Sequence, residues 1–130
     1  MRNTVLGMLA GIFVGAFLFG QPIVNGQRSL DPLVVAPDHF KLEFENEYVR
    51  VIREHTDAHG KVPMHEHSLP GINVLLGDQN VRQTQVDGSV RDLHRKAGEV
   101  YWTAPSIHAG ENMSDAPLEY IRIDIKNAVR

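Results

Sequence analysis

The chain has 130 residues, 42% of them apolar and 22% charged, with seven histidines and no cysteine. That length and balance suit one domain with its own core. A formal net charge of −3 offers no electrostatic case for nucleic acid, which asks for a clustered basic face. The lack of cysteine excludes disulfides, thiolate metal sites and thiol nucleophiles, so a metal would have to be held by nitrogen and oxygen.

Residues 1–26 differ in kind from the rest. Arg2 lies in a short polar head, Val5 to Gly20 is apolar or glycine throughout, and Pro22 is followed by Val24-Asn25-Gly26. This order reads as a signal peptide helix cleaved near Gly26. The alternative is an uncleaved membrane anchor, since no charge occurs between Asn3 and Gln27. The expected location is periplasmic or secreted in the first case, and membrane-anchored with the domain outside the cytoplasm in the second. Residues 27–38, QRSLDPLVVAPD, carry two prolines and predict an extended leader into a domain over 39–130.

That domain reads as short strands. From Tyr48 to His55, Val49, Val51, Arg53 and His55 alternate with Tyr48, Arg50, Ile52 and Glu54, a period of two. Ile72, Val74 and Leu76 alternate within GINVLL, and Gly77-Asp78 marks a turn. Asp87-Gly88 predicts a hairpin closed by a two-residue type I′ loop. A further strand is expected from Glu99 to Thr103, and LEYIRIDIK puts Ile121, Ile123 and Ile125 on one face. No window of this domain is a convincing amphipathic helix. Strands at this spacing predict an all-β fold, an antiparallel sandwich or a small β-barrel.

His65 and His67, two apart on a strand, project from the same face with Cα atoms roughly 6.5 to 7 Å apart. Both rings can then reach one ion at about 2.0 to 2.1 Å. Alone the pair is a weak signal. The second element runs from Gly98 through Pro105 to His108 and Asn112. Together these segments resemble the two motifs of the cupin superfamily. Gly60, His65, His67 and Gly77 fall at or near the places of the first motif, and Gly98, Pro105, His108 and Asn112 fit the second. The resemblance spans about Phe40 to Lys126.

It implies a cupin jelly roll (a double-stranded β-helix of the RmlC-like type) with His65, His67 and His108 as ligands of one divalent metal ion: Fe, Mn, Zn, Ni or Cu. The implied function is that of a metal-binding cupin, with dioxygenase-like or other oxidoreductase chemistry on a small anionic molecule. The alternatives are a non-catalytic module that captures a metal or small ligand, and a metal-free barrel acting through assembly. A small-molecule ligand is the expected partner, with a homodimer possible because small cupins often pair their sheet edges.

Two departures stand out. The fourth ligand of the family, a glutamate soon after the second histidine, is missing, since that window holds Pro70, Gly71 and Ile72. The second motif has Ile107 directly before its histidine in place of the usual corner glycine. No catalytic acid or base is evident. Arg53 is a candidate for the substrate cavity if it shares the inward phase of Val49 and Val51; otherwise it lies at the rim. Trp102 is a second candidate for the cavity wall, with Tyr101 on the opposite face. Asn112 is expected to close a turn. Glu66 and Glu111 should face away from the histidines, and His39, His55, His59 and His94 read as surface residues.

Overall fold

The structure is a computed structural model that describes residues 23–24 and 27–126, with side chains from residue 29 onward. The signal peptide expected over 1–26 falls almost wholly outside the described residues. Among the described residues no helix is long and apolar enough to cross a membrane. Two short strands, β1 (Ile23–Val24) and β2 (Gln27–Arg28), pair antiparallel.

The leader corrects one expectation. Pro32–Val35 forms a single helical turn, α1, rather than extended chain. Asp31 caps it, its Oδ1 accepting from the Leu33 backbone N–H at 2.9 Å, and Pro32 stands at the first helical position, where no N–H is needed. Pro32 and Ala36 are buried, and Leu33 and Val35 pack on Phe40, Ile52 and Val62.

Nine strands build the domain: β3 (Phe40–Glu45), β4 (Val49–Thr56), β5 (Lys61–His67), β6 (Gly71–Leu75), β7 (Gln79–Gln85), β8 (Val90–Arg95), β9 (Val100–Thr103), β10 (Ser106–Asn112) and β11 (Leu118–Ile125). They form two antiparallel sheets, one in the order β5-β10-β7-β8 and the other β3-β4-β11-β6-β9. The non-sequential order is that of a jelly roll.

The larger sheet has the opposite polarity to a simple amphipathic one. Ile52, Arg122, Asn73 and Tyr101 form one inward row across β4, β11, β6 and β9. Phe44, Val51, Ile123, Ile72 and Trp102 form an outward row across all five strands. The isoleucines of β11 do share one face, but it is the outer one. Inside lie Tyr120, Arg122 and Asp124, all buried. The apolar core splits into two clusters, Ala36, Phe40, Ile52 and Val62 at one end and Leu75, Val81, Leu118 and Tyr120 at the other. Glu54, His65, His67, Asn73, Arg122 and Asp124 are buried as well.

Two irregularities matter. The β7–β8 hairpin closes with Val86, Asp87 and Gly88 between the close partners Gln85 and Ser89, not with a two-residue loop. Only Gly88 has positive φ, at 84°, whereas a type I′ turn needs it at both central residues. In the β5–β10 pairing, His108 faces His65 but Gly110 faces Val62, which is a bulge in β5 at Pro63 and Met64. The bulge turns both Val62 and His65 inward despite their spacing of three.

Candidate metal centre

His65 and His67 come from β5 and His108 from the adjacent β10. One ring nitrogen of each lies within 4.8 Å of the others. The two Nε2 atoms of His65 and His67 are 3.1 Å apart, the separation of two imidazole ligands on one ion with bonds of about 2.1 Å. The His65 ring centroid is 4.8 Å from that of His67 and 4.7 Å from that of His108, and Phe40 covers His65 at 5.0 Å.

Hydrogen bonds hold two of these rings in the tautomer a metal needs. The bulge leaves the Pro63 carbonyl free to accept from His65 Nδ1 at 2.8 Å, so His65 Nε2 carries a lone pair. His108 Nδ1 donates to Ser106 Oγ at 3.2 Å. Its Nε2 accepts from Gln83 Nε2 at 3.3 Å, and the Gln83 amide is oriented by Arg91, which donates to Oε1 at 2.9 Å. Such outer partners fix ring direction and basicity in metal sites. His67 Nδ1 is buried without a partner. Burial lowers all three pKa values, that of His108 to about 3, and the Arg122 guanidinium pushes each further down. The rings are therefore neutral near pH 7, as ligands must be.

The centre opens into a cavity of about 370 Å³ whose wall includes His67, His108, Asn73, Tyr120, Arg91 and Arg122. No family model matches the chain, and no curated protein matches it either. Solved structures do. A cupin domain from Bordetella pertussis Tohama I superposes with a TM-score of 0.62 at 22% identity, covering 67% of this chain and 91% of its own. An RmlC-like cupin with a double-stranded β-helix fold from Methanocaldococcus jannaschii gives 0.53 at 13%, covering 66% and 77%. The fold is that of a cupin. A DMSP lyase from Ruegeria pomeroyi DSS-3 shares it at a TM-score of 0.50 and 14% identity, over 73% of this chain and 51% of the lyase.

Against the cupin pattern, the absent glutamate acquires a physical cause. Gly71, four residues beyond His67, faces inward. A Cβ there would lie 2.6 Å from the Ile123 carbonyl oxygen and 3.4 Å from Arg122 Nη2. Backbone fills the space, and a guanidinium stands beside it. Arg122 is held there by Asp124 through Nε at 2.6 Å, by Thr103 Oγ1 through Nη1 at 2.9 Å, and by the Leu69 carbonyl through Nη2 at 2.8 Å. Asp124 also accepts from Arg50 at 3.3 Å. In this chain the place where the cupin pattern has a carboxylate is bordered by a buried cation.

The remaining candidates disperse. Arg53 points outward and pairs with Glu43 at 2.7 Å and Glu119 at 2.6 Å, so the inward placement is corrected: β4 presents Ile52, Glu54 and Thr56 to the interior. Trp102 borders the cavity, yet it is 58% exposed and pairs on the outer row with Ile72; Tyr101 is the inward neighbour. Asn112 closes the loop before β11, donating to the carbonyls of Asp57 and Ala116 and accepting from the Ser114 N–H. Glu66 and Glu111 are turned away from the centre; Glu111 lies near Lys61 on the surface. His55 and His59 are exposed beside Asp57 and Asp115, while His39 is half-buried against Thr56.

Sequence reasoning missed Arg122, Asn73, Gln83 and the pair Glu54–Tyr120. Glu54 is fully buried and accepts from the Tyr120 hydroxyl and from Thr56 Oγ1. Burial raises its carboxyl to about 7, and raises the Tyr120 phenol as well. The available signal was polar residues alternating with isoleucine in YIRID, which reads as an outward polar face unless the barrel interior is itself polar.

Proposed function

We propose that this protein is a metal-dependent cupin that takes a small anionic molecule at the His65, His67 and His108 centre. The observation that carries the reading is the set of three buried neutral imidazoles, two with Nδ1 tied to protein oxygen, and with one ring nitrogen of each within 4.8 Å of the others. A divalent ion held there supplies Lewis acidity and, if it is iron, manganese, copper or nickel, redox capacity. Three neutral ligands leave its charge uncancelled, and Arg122 adds another positive group, so an anion is the complementary guest. Phe40 packs against His65 and His67, with ring centroids 5.0 and 6.2 Å apart.

Turnover, as opposed to capture, is favoured by Tyr120. Tyr120 is among the residues that line the cavity, and its hydroxyl is hydrogen-bonded to Glu54, whose carboxyl exchanges its proton near neutrality. That pair supplies the proton-transfer group the sequence did not reveal. Export, and pairing of two copies through the outward row of Phe44, Val51, Ile123, Ile72 and Trp102, belong to the same proposal.

Elemental analysis of protein purified without an affinity tag tests the centre. About one divalent ion per chain is expected in the wild type, with loss in His65→Ala and His108→Ala. Wild-type metal content in His65→Ala would sink the assignment. Oxygen uptake by the metal-loaded protein with a panel of small carboxylates then separates an oxygenase from a capture module.

A further inference from the structure

The leader holds the histidine-bearing strand by three separate routes. β5 is an edge strand of its sheet, and the leader meets its free edge. The Glu66 N–H, between the two ligand positions His65 and His67, donates to the Leu30 carbonyl at 2.8 Å. The second route is apolar. The Ala36 carbonyl, at the end of α1, accepts from the backbone N–H groups of His39 and Phe40, both at 3.0 Å. Phe40 is the ring that lies 5.0 Å from His65 and 6.2 Å from His67. It shares a buried cluster with Ala36, against which Leu33 and Val35 pack.

The third route is ionic. Asp31 Oδ2 accepts from Arg50 Nη1 at 2.5 Å, and Arg50 Nε donates to Asp124 at 3.3 Å. Asp124 accepts from Arg122 Nε at 2.6 Å, and Arg122 Nη2 donates to the carbonyl of Leu69, two residues beyond His67, at 2.8 Å. Most of this network is buried, where charges are screened little, so the charge on Asp31 bears on the strength of each link. The leader itself has little stability of its own. α1 is four residues long, far below the length at which a helix holds alone in water. It persists through the strands it touches, so what orders β5 orders the leader, and the reverse.

We infer that residues 30–36 are positioning residues for the metal centre: docking of the leader sets the placement of His65 and His67, and metal binding in turn tightens the leader. The inference rests on the metal centre of the proposed function and adds to it a segment that lies outside both histidine motifs. Coupling between two sites is reciprocal, and about ten-fold is an ordinary size for it.

Asp31→Asn isolates the ionic route. Asparagine caps a helix about as well as aspartate, so α1 keeps its cap while the bond to Arg50 loses its charge. Calorimetric titration of zinc into chelator-treated full-length protein is expected to show binding about ten-fold weaker in Asp31→Asn than in the wild type. Leu118→Ala, in the other apolar cluster, costs stability and should leave zinc affinity unchanged, which separates positioning from general loosening. In the wild type, zinc should slow amide hydrogen exchange at Val35 and Ala36, whose N–H groups bond to the carbonyls of Asp31 and Pro32. The slowing should be about ten-fold greater than in β8, which carries no ligand. Wild-type zinc affinity in Asp31→Asn overturns the inference, as do leader amides slowed no more than those of β8, or an equal loss of affinity in Leu118→Ala. His65→Ala judges the centre separately. Zinc binding lost there but intact in Asp31→Asn rejects the leader's role alone, and zinc binding unaltered in His65→Ala rejects the centre and the coupling with it.

Discussion

Asp124 shows how much a single inward side chain supports. Its carboxylate accepts from Arg122 at 2.6 Å and Arg50 at 3.3 Å, and it is 2% exposed. Arg50 in turn holds Asp31, the cap of α1. Replacing one member of a buried charge network leaves the others uncompensated, at about 3 to 5 kcal/mol. Asp124→Asn should therefore lower the unfolding free energy by that order in chemical denaturation, whereas Glu43→Gln, which removes a partner of the surface Arg53, should leave the unfolding midpoint nearly unchanged. The three histidines and Asn112 were legible in the sequence because their spacing matches a motif. Asp124, Arg122 and Asn73 were not, because a charged or amide residue in an alternating strand reads as solvent-facing unless its cross-strand neighbours are known.

At the level of elements, β4 and β11 were found from their period of two, but their phase was not. Period fixes which residues share a face and leaves open which face is inside. Glu54 on β4 gives the inward phase a measurable consequence. Below pH about 4.5 the folded and unfolded chains both hold its proton, so it adds no pH dependence. As the pH rises from there towards 7, the unfolded chain releases the proton first and the fold loses stability. The loss reaches about 3 kcal/mol and levels off above 7. Glu54→Gln removes this penalty, so its stability relative to wild type should climb between pH 4.5 and 7 in denaturation series and stay flat below. A constant difference across that range would contradict the buried, proton-holding state. The hairpin at Asp87-Gly88 was legible as a hairpin; its length was not, since only Gly88 takes the left-handed conformation.

For the whole molecule, the jelly roll was legible through two distant motifs rather than through any strand taken alone. What they could not convey is that the barrel's middle is polar and its apolar core divided. Such an interior gains stability from a guest that satisfies it. A ligand binding only the folded state adds RT ln(1 + [L]/Kd), about 4 kcal/mol at a thousand-fold excess over Kd. Addition of zinc or manganese to chelator-treated protein should raise the melting temperature by several degrees, and the rise should vanish in His108→Ala. Equal rises in both proteins would mean that the ion binds elsewhere.

Gly71 bears on how this chain can change. Any side chain larger than hydrogen there meets the Ile123 carbonyl. Conversion to a four-ligand centre is thus not a single-codon step. It requires β6 and β11 to separate and the Arg122–Asp124 pair to be rebuilt at the same time. The close approach of β6 and β11 thus keeps a side-chain ligand out of this position.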